Sequence, residues 1–143
     1  MFIGEYQHSI DYKGRLSVPK KFRSQLESGA VVTRGLDGCL FLYTKESWEQ
    51  LWGKLKELPL TQGDARSFSR YLLSGAVEVS FDQLGRAMVP SYLRDYAQIK
   101  NEAMVVGVGD RIELWAKDRW EDYRVKTEST SEEIAEKLTG LGI

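Results

Sequence analysis

The chain has 143 residues, 42% hydrophobic and 29% charged, with a formal net charge of −1, a length and balance that fit one globular domain and exclude the disordered class. Its one cysteine, Cys39, excludes an internal disulfide, and no stretch approaches the roughly 18 apolar residues of a membrane span. The start lacks the basic and apolar regions of a signal peptide, so a reducing cytoplasm is the expected setting.

Taken in chain order, Glu5 to Ile10 alternates as a short strand, and Asp11-Tyr-Lys-Gly14 gives a turn with Asp first and Gly fourth. Arg15 opens the returning strand. Pro19 suits the first turn of a helix over Lys20–Leu26, with Phe22 and Leu26 four apart on a buried face and Lys20, Lys21 and Arg23 turned outward. Ala30–Thr33 reads as a buried strand, and Arg34–Gly38 as a turn into a further strand, Cys39–Tyr43. Thr44 is placed to cap a helix carrying Trp48, Leu51, Trp52 and Leu55 at i, i+3, i+4 and i+7. Leu58–Gly63 breaks that helix, and Asp64 caps the next, Ala65–Leu73, whose Phe68 and Leu72 face inward.

The second half restates this order. Val77–Phe81 leads into the turn Asp82-Gln-Leu-Gly85, then Arg86, a strand Ala87–Val89, Pro90 and a helix Ser91–Ala97. Ala103–Val106 is a buried strand, Gly107–Asp110 a turn, Arg111–Trp115 a strand, and a helix with Trp120 and Tyr123 begins near Lys117. Thr127–Ser131 reads as a polar break. Ser129 with Glu132, or Thr130 with Glu133, then fits a capping box for a last helix ended by Gly140.

The restatement is a duplication. Between residues 8–23 and 79–94, seven of sixteen positions are identical at an offset of 71: Ser9, Asp11, Gly14, Arg15, Val18, Pro19 and Arg23 recur as Ser80, Asp82, Gly85, Arg86, Val89, Pro90 and Arg94. Average residue usage gives about one match by chance in such a window. With a slip of one or two residues, Ala30–Val32 matches Ala103–Val105 and Leu42–Glu49 matches Leu114–Glu121. Chains under roughly 60 residues are marginal alone, so the two halves are expected to fold together as an intramolecular pseudo-dimer.

What repeats is a D-x-x-G-R-x-x-x-P cassette. The aspartate caps its own turn, the glycine supplies a positive φ, and the arginine leaves with its guanidinium outward. Such a fork holds a phosphate bidentately or grips O6 and N7 of guanine. The alternative is an Asp11–Arg15 ion pair that only braces the turn. Repetition favours binding, and so does charge: residues 1–34 hold six cations against three anions, a local +3, whereas 112–143 hold five against eight, a local −3. The N-terminal copy is therefore expected to bind a polyanion more strongly.

Other motifs are weaker. His8, the single histidine, excludes a multi-histidine metal site and reads as a strand residue near the turn. Gly107-Val-Gly109 lacks the rest of a phosphate loop and reads as a turn. Trp48, Trp52, Trp115 and Trp120 are read as core or interface aromatics and Cys39 as a small buried hydrophobe. No nucleophile, base and orienting group come together, so neither an enzyme nor a cofactor is expected.

The start MFIGEYQHSIDYKGRLSVPKKFR, the second cassette and the later segment Val106-Gly-Val-Gly-Asp-Arg-Ile-Glu-Leu-Trp115 together resemble the MraZ family, bacterial transcriptional regulators built from two SpoVT-AbrB-type modules. The resemblance covers nearly the whole chain. It implies an α+β fold, an AbrB-like swapped-hairpin β-barrel formed as a pseudo-dimer from two internal repeats with flanking helices. Its modules would be residues 5–47 and 76–119, with a helical insert at 48–75 and a helical tail at 120–143. It implies binding of double-stranded DNA at short direct repeats upstream of the division and cell-wall gene cluster, assembly into homo-oligomeric rings, and a place in the cytoplasm over the nucleoid. The expected DNA-binding residues are Arg15, Lys13, Lys20, Lys21, Arg23 and Arg86, with Asp11, Gly14, Asp82 and Gly85 shaping the turns. Ser91 and Tyr92 stand where the first copy has Lys20 and Lys21, which weakens the second copy for DNA. A protein-interaction module of the same fold, antitoxin- or scaffold-like, is the competing reading.

Overall fold

The chain alternates strands and helices in the order β1 (Phe2–Ser9), β2 (Arg15–Ser17), α1 (Lys20–Arg23), β3 (Ala30–Arg34), β4 (Leu40–Thr44), α2 (Lys45–Leu55), α3 (Gly63–Gly75), β5 (Val77–Val79), β6 (Arg86–Met88), α4 (Ser91–Ala97), β7 (Glu102–Gly109), β8 (Arg111–Ala116) and α5 (Lys117–Lys137). This is a computed structural model, and it describes residues 1–142. Six strands form one sheet in the order β1-β7-β8-β4-β3-β5, every neighbouring pair antiparallel, and β2 pairs with β6 in a separate two-stranded ribbon. The fold is α+β with two related halves.

The cassette strands do not return on their own copy, as the sequence led us to expect. β1 starts earlier than Glu5 and pairs along its whole length with β7 of the second half, from Phe2 opposite Gly109 to Ser9 opposite Glu102. β2 pairs with β6 in the register Arg15–Met88, Leu16–Ala87 and Ser17–Arg86. Only a bridge from Ile10 to Leu16 remains of the local hairpin. The reason lies in burial: each three-residue strand has one inward side chain, and pairing brings Leu16 (2% exposed) and Ala87 (5% exposed) together over the main sheet.

Strand periodicity builds two cores on opposite faces of that sheet. Leu40, Leu42, Ala103, Val105, Ile112 and Leu114 point to one side, where they meet Phe2, Leu16, Val18, Phe22, Val89 and Leu93 from both halves. Phe41, Tyr43, Met104, Val106 and Trp115 point to the other, where Trp48 and Leu51 of α2 and Trp120 of α5 cover them. Both halves supply each core, which is why neither half has one of its own. Gly107 allows β1 to lie close, since a Cβ there would stand 2.4 Å from the Ile3 backbone nitrogen.

The helices differ from expectation in four places. The stretch after Pro19 is one α-turn, Lys20–Arg23, followed by a 3-10 turn over Ser24–Leu26, with Phe22 and Leu26 buried as expected. Asp64 does not cap α3, which begins at Gly63 after Gln62 with no side-chain cap. Leu72 is buried but Phe68 is 39% exposed, because α3 is held at its C-terminal end. There Thr33 Oγ1 donates to the Leu72 carbonyl at 2.6 Å, Arg34 Nη2 to that of Tyr71 at 2.7 Å, and Tyr92 Oη to that of Gly75 at 2.9 Å. Finally, α5 runs through Thr127–Ser131 without a break. The Ser129 and Thr130 hydroxyls bond back to the Lys126 carbonyl instead of capping a new helix. Thr44 does cap α2, accepting from the Ser47 N–H at 3.0 Å. Among the described residues no helix is long and apolar enough to cross a membrane.

Candidate nucleic-acid interface

The two cassette turns are the same object built twice. In the first, Asp11 Oδ1 accepts from the backbone N–H groups of Lys13 and Arg15, both at 2.9 Å, and Gly14 N–H closes the turn on the Asp11 carbonyl at 2.9 Å. In the second, Asp82 Oδ1 accepts from Leu84 and Arg86 at 2.9 Å, and Gly85 closes on the Asp82 carbonyl at 2.9 Å. Gly14 has φ +83° and Gly85 φ +73°, the left-handed backbone that the sequence assigned to them.

The second carboxylate oxygen holds the arginine. Asp11 Oδ2 lies 2.6 Å from Arg15 Nε, and Asp82 Oδ2 lies 2.9 Å from Arg86 Nε. Among the described residues the terminal nitrogens of both guanidiniums make no hydrogen bond, so each ion pair fixes the stem and leaves the fork free. The Arg15 backbone N–H is the main cause holding the Asp11 carboxyl below its ordinary range. Slight burial opposes it, and the Arg15 guanidinium and Lys13 N–H add to it. Asp82 is lowered in the same way, first by the Arg86 N–H.

Pairing of β2 with β6 sets both arginines on one face. Leu16 and Ala87 point into the core, so Arg15, Ser17, Arg86 and Met88 line the outer face, Arg15 directly opposite Met88 and Ser17 opposite Arg86. The ribbon is closed at its ends by reciprocal bonds, Val18 N–H to the Gly85 carbonyl at 3.2 Å and Val89 N–H to that of Gly14 at 2.9 Å.

Lys13, Lys20 and Lys21 are exposed, Lys21 with its ammonium 4.7 Å from the centre of the Tyr6 ring. Arg23 is not turned outward, contrary to the sequence reading. It is half-buried, its Nε 3.4 Å from the Val18 carbonyl and its guanidinium laid over Gly85. Arg94 does the same on Gly14, with Nε donating to the Val89 carbonyl at 2.9 Å. Nothing in the cassette motif itself assigns Arg94 a role, although its identity with Arg23 in the repeat is the available signal. Where the first copy has Lys21, Tyr92 is tied to Gly75 instead. His8 is half-buried in β1, and burial, then the nearby Arg23 charge, lower its pKa. Among the described residues no group of histidine, cysteine and carboxylate side chains is arranged to hold a metal.

A duplicated turn that carries a braced arginine in each half of one paired ribbon defines a two-module α+β fold. Comparison with known proteins agrees with the duplication: the family model described as "MraZ protein, putative antitoxin-like" matches twice, over residues 1–71 and 72–141. The chain is 53% identical over its full length to the transcriptional regulator MraZ of Pelotomaculum thermopropionicum, covering 99% of that protein. It is 48% identical over the full length of both chains to that of Syntrophomonas wolfei, and 49% identical to that of Heliobacterium modesticaldum over 96% of each. The chain belongs to the MraZ family.

Proposed function

We propose that this protein is a DNA-binding transcriptional regulator whose β2/β6 ribbon enters the major groove and reads guanines with Arg15 and Arg86. The observation that carries the reading is the ribbon itself. The major groove of B-DNA admits a two-stranded β-ribbon, and arginine bound to O6 and N7 of guanine is its commonest specific contact. Two guanidiniums, each held at Nε and free at its terminal nitrogens, stand on one face of such a ribbon. Lys13 on the first turn and Lys20 and Lys21 on α1 serve as phosphate ligands, and Arg23 of the same α1 holds the second turn in place while adding positive charge behind it. Asp11, Gly14, Asp82 and Gly85 shape the turns.

The finer reading is a ring-like homo-oligomer in the cytoplasm, associated with the nucleoid, that binds short direct repeats in the promoter of the division and cell-wall gene cluster. The relatives' name as transcriptional regulators supports the regulatory part. Exposed Trp52, Leu58, Leu60 and Phe68 on α2, α3 and their connection support self-association. The modules 5–47 and 76–119, the insert 48–75 and the tail 120–143 are the units of this reading.

The test is binding-site selection from random duplexes, followed by titration of the selected sequence at several salt concentrations. A guanine-containing consensus, tighter binding to tandem copies than to one, and a log–log salt slope of about −0.9 per phosphate contact are expected. Failure to enrich any sequence, with affinity that ignores salt, would favour the protein-interaction module, in which the Asp11–Arg15 and Asp82–Arg86 pairs are only braces.

A further inference from the structure

The two halves of the ribbon match at their arginines and differ beside them. Ser17 of β2 has Met88 as its counterpart in β6, and Lys13 at the first turn has Leu84 at the second. Met88 is 54% exposed and Leu84 63%, and neither belongs to a core cluster. The outer face therefore carries two unlike cross-strand rows, Arg15 with Met88 and Ser17 with Arg86.

An exposed methionine on the polar outer face of the ribbon gains nothing in the free protein. In the major groove it meets one apolar group, the 5-methyl of thymine, which adenine, guanine and cytosine lack on that edge. Side chains directly opposite each other in an antiparallel pair have Cβ atoms about 4.5–5.5 Å apart, and successive bases on a strand are about 3.4 Å apart. A side chain beside a guanine-gripping arginine thus falls one or two base pairs away from that guanine.

We propose that Met88 reads the methyl group of a thymine within two base pairs of the guanine bound by Arg15. This rests on the groove-reading role of the ribbon, and the experiment separates the two.

In the selected duplex, each thymine in turn is replaced by deoxyuridine, which removes only the 5-methyl. Affinities are measured by fluorescence anisotropy for the wild-type chain, Met88→Ala and Met88→Leu. At one thymine near a guanine that resists 7-deaza substitution least, the wild type is expected to lose about fourfold, the effect of one buried methyl group. Met88→Ala binds the thymine and uracil duplexes equally, and Met88→Leu retains the discrimination. Sequence-specific binding that is indifferent to every uracil substitution overturns the role of Met88 and leaves the arginine reading standing. So does a Met88→Ala protein that keeps the full uracil penalty. Absence of any sequence preference overturns both.

Discussion

Arg94 lies flat against Gly14, the glycine of the other copy's turn: a Cβ built there would stand 2.8 Å from the Arg94 Nε, and the same nitrogen donates to the Val89 carbonyl at 2.9 Å. Arg23 repeats the relationship on Gly85, where a Cβ would stand 2.1 Å away. Each cassette is thus covered by an arginine from the opposite half. The two turns are coupled through side chains as well as through the β2/β6 ladder.

Gly14→Ala tests that coupling against Gly109→Ala, since Gly109 shares its positive φ (+79°) but has nothing within 4 Å. Gly109→Ala is expected to cost about 1–2 kcal/mol from backbone strain alone. Gly14→Ala costs more, by about 0.5–1.5 kcal/mol for the Arg94 hydrogen bond it displaces. In an Arg94→Ala background the excess disappears. Urea unfolding of the four proteins measures it, and equal costs for both glycine variants in the wild-type background would show that Arg94 yields freely.

Arg15→Ala removes the free fork and is expected to weaken binding to the best sequence by about 1–3 kcal/mol per contact, with far less effect on non-specific duplex. Lys20→Ala and Lys21→Ala act differently. Each lowers the salt slope by about 0.9 without changing the preferred sequence. Anisotropy titrations across salt concentrations distinguish the two classes, and an unchanged slope in the double lysine variant would remove these residues from the phosphate contact.

Acidification is expected to weaken the fold in two windows. His8 has its pKa lowered from 6.5 in the folded chain, so its neutral form favours folding. That contribution is complete above pH 6.5 and is lost as pH falls below it toward the folded value. Asp11 and Asp82 are lowered from 3.8, so their contribution is present above that value and is lost as pH falls through the folded pKa. Unfolding free energies measured from pH 8 to about pH 2 should fall in both windows. His8→Gln should flatten the upper one, and Asp11→Asn should reduce the lower.

The far end of α5 contributes little to the core. The helix packs through its first two turns, Trp120 and Tyr123 against Trp115 at ring separations of 5.3 and 4.9 Å, and has no buried residue along its length. Ending the chain after Lys126 should change stability by no more than about 0.5 kcal/mol. It also removes Glu128, Glu132, Glu133 and Glu136 against one cation, Lys137, so non-specific DNA affinity should rise at low salt and converge with the full chain at high salt. A large fall in melting temperature would mean that this segment is packed in the working assembly.

Cys39 is fully buried, its thiol donates to the Leu36 carbonyl at 3.2 Å, and burial pushes its pKa well up. An aromatic disulfide reagent should leave the native protein unmodified and react at the rate of unfolding in denaturant. Immediate labelling of the native chain would contradict this burial.

Much of the site is local chemistry and was legible before any fold. Asp11, Gly14 and Arg15 determine their turn within five residues through backbone N–H groups that reach one carboxylate, and the recurrence at Asp82, Gly85 and Arg86 needs no tertiary information. The short apolar runs Ala30–Thr33 and Ala103–Val106 likewise read as buried strands, and each is a strand segment with four consecutive buried residues. Local rules decided less where two outcomes were chemically equal. Ser129 and Thr130 could cap a new helix or bond back to the preceding turn, and they bond back.

Pairing partners belong to the tertiary structure. A three-residue strand carries the same backbone donors and acceptors toward any neighbour, so nothing in Arg15–Ser17 says that it will meet Arg86–Met88 instead of its own copy. The choice falls to the apolar surface that Leu16 and Ala87 bury together and to the full-length pairing of β1 with β7. The same long-range choice turns Arg23 inward onto Gly85 and Arg94 onto Gly14. The sequence by itself determined the turns, the arginines and their duplication. Only the exchange of strands between halves decided that both arginines share one face, because that depends on burial between residues 71 positions apart.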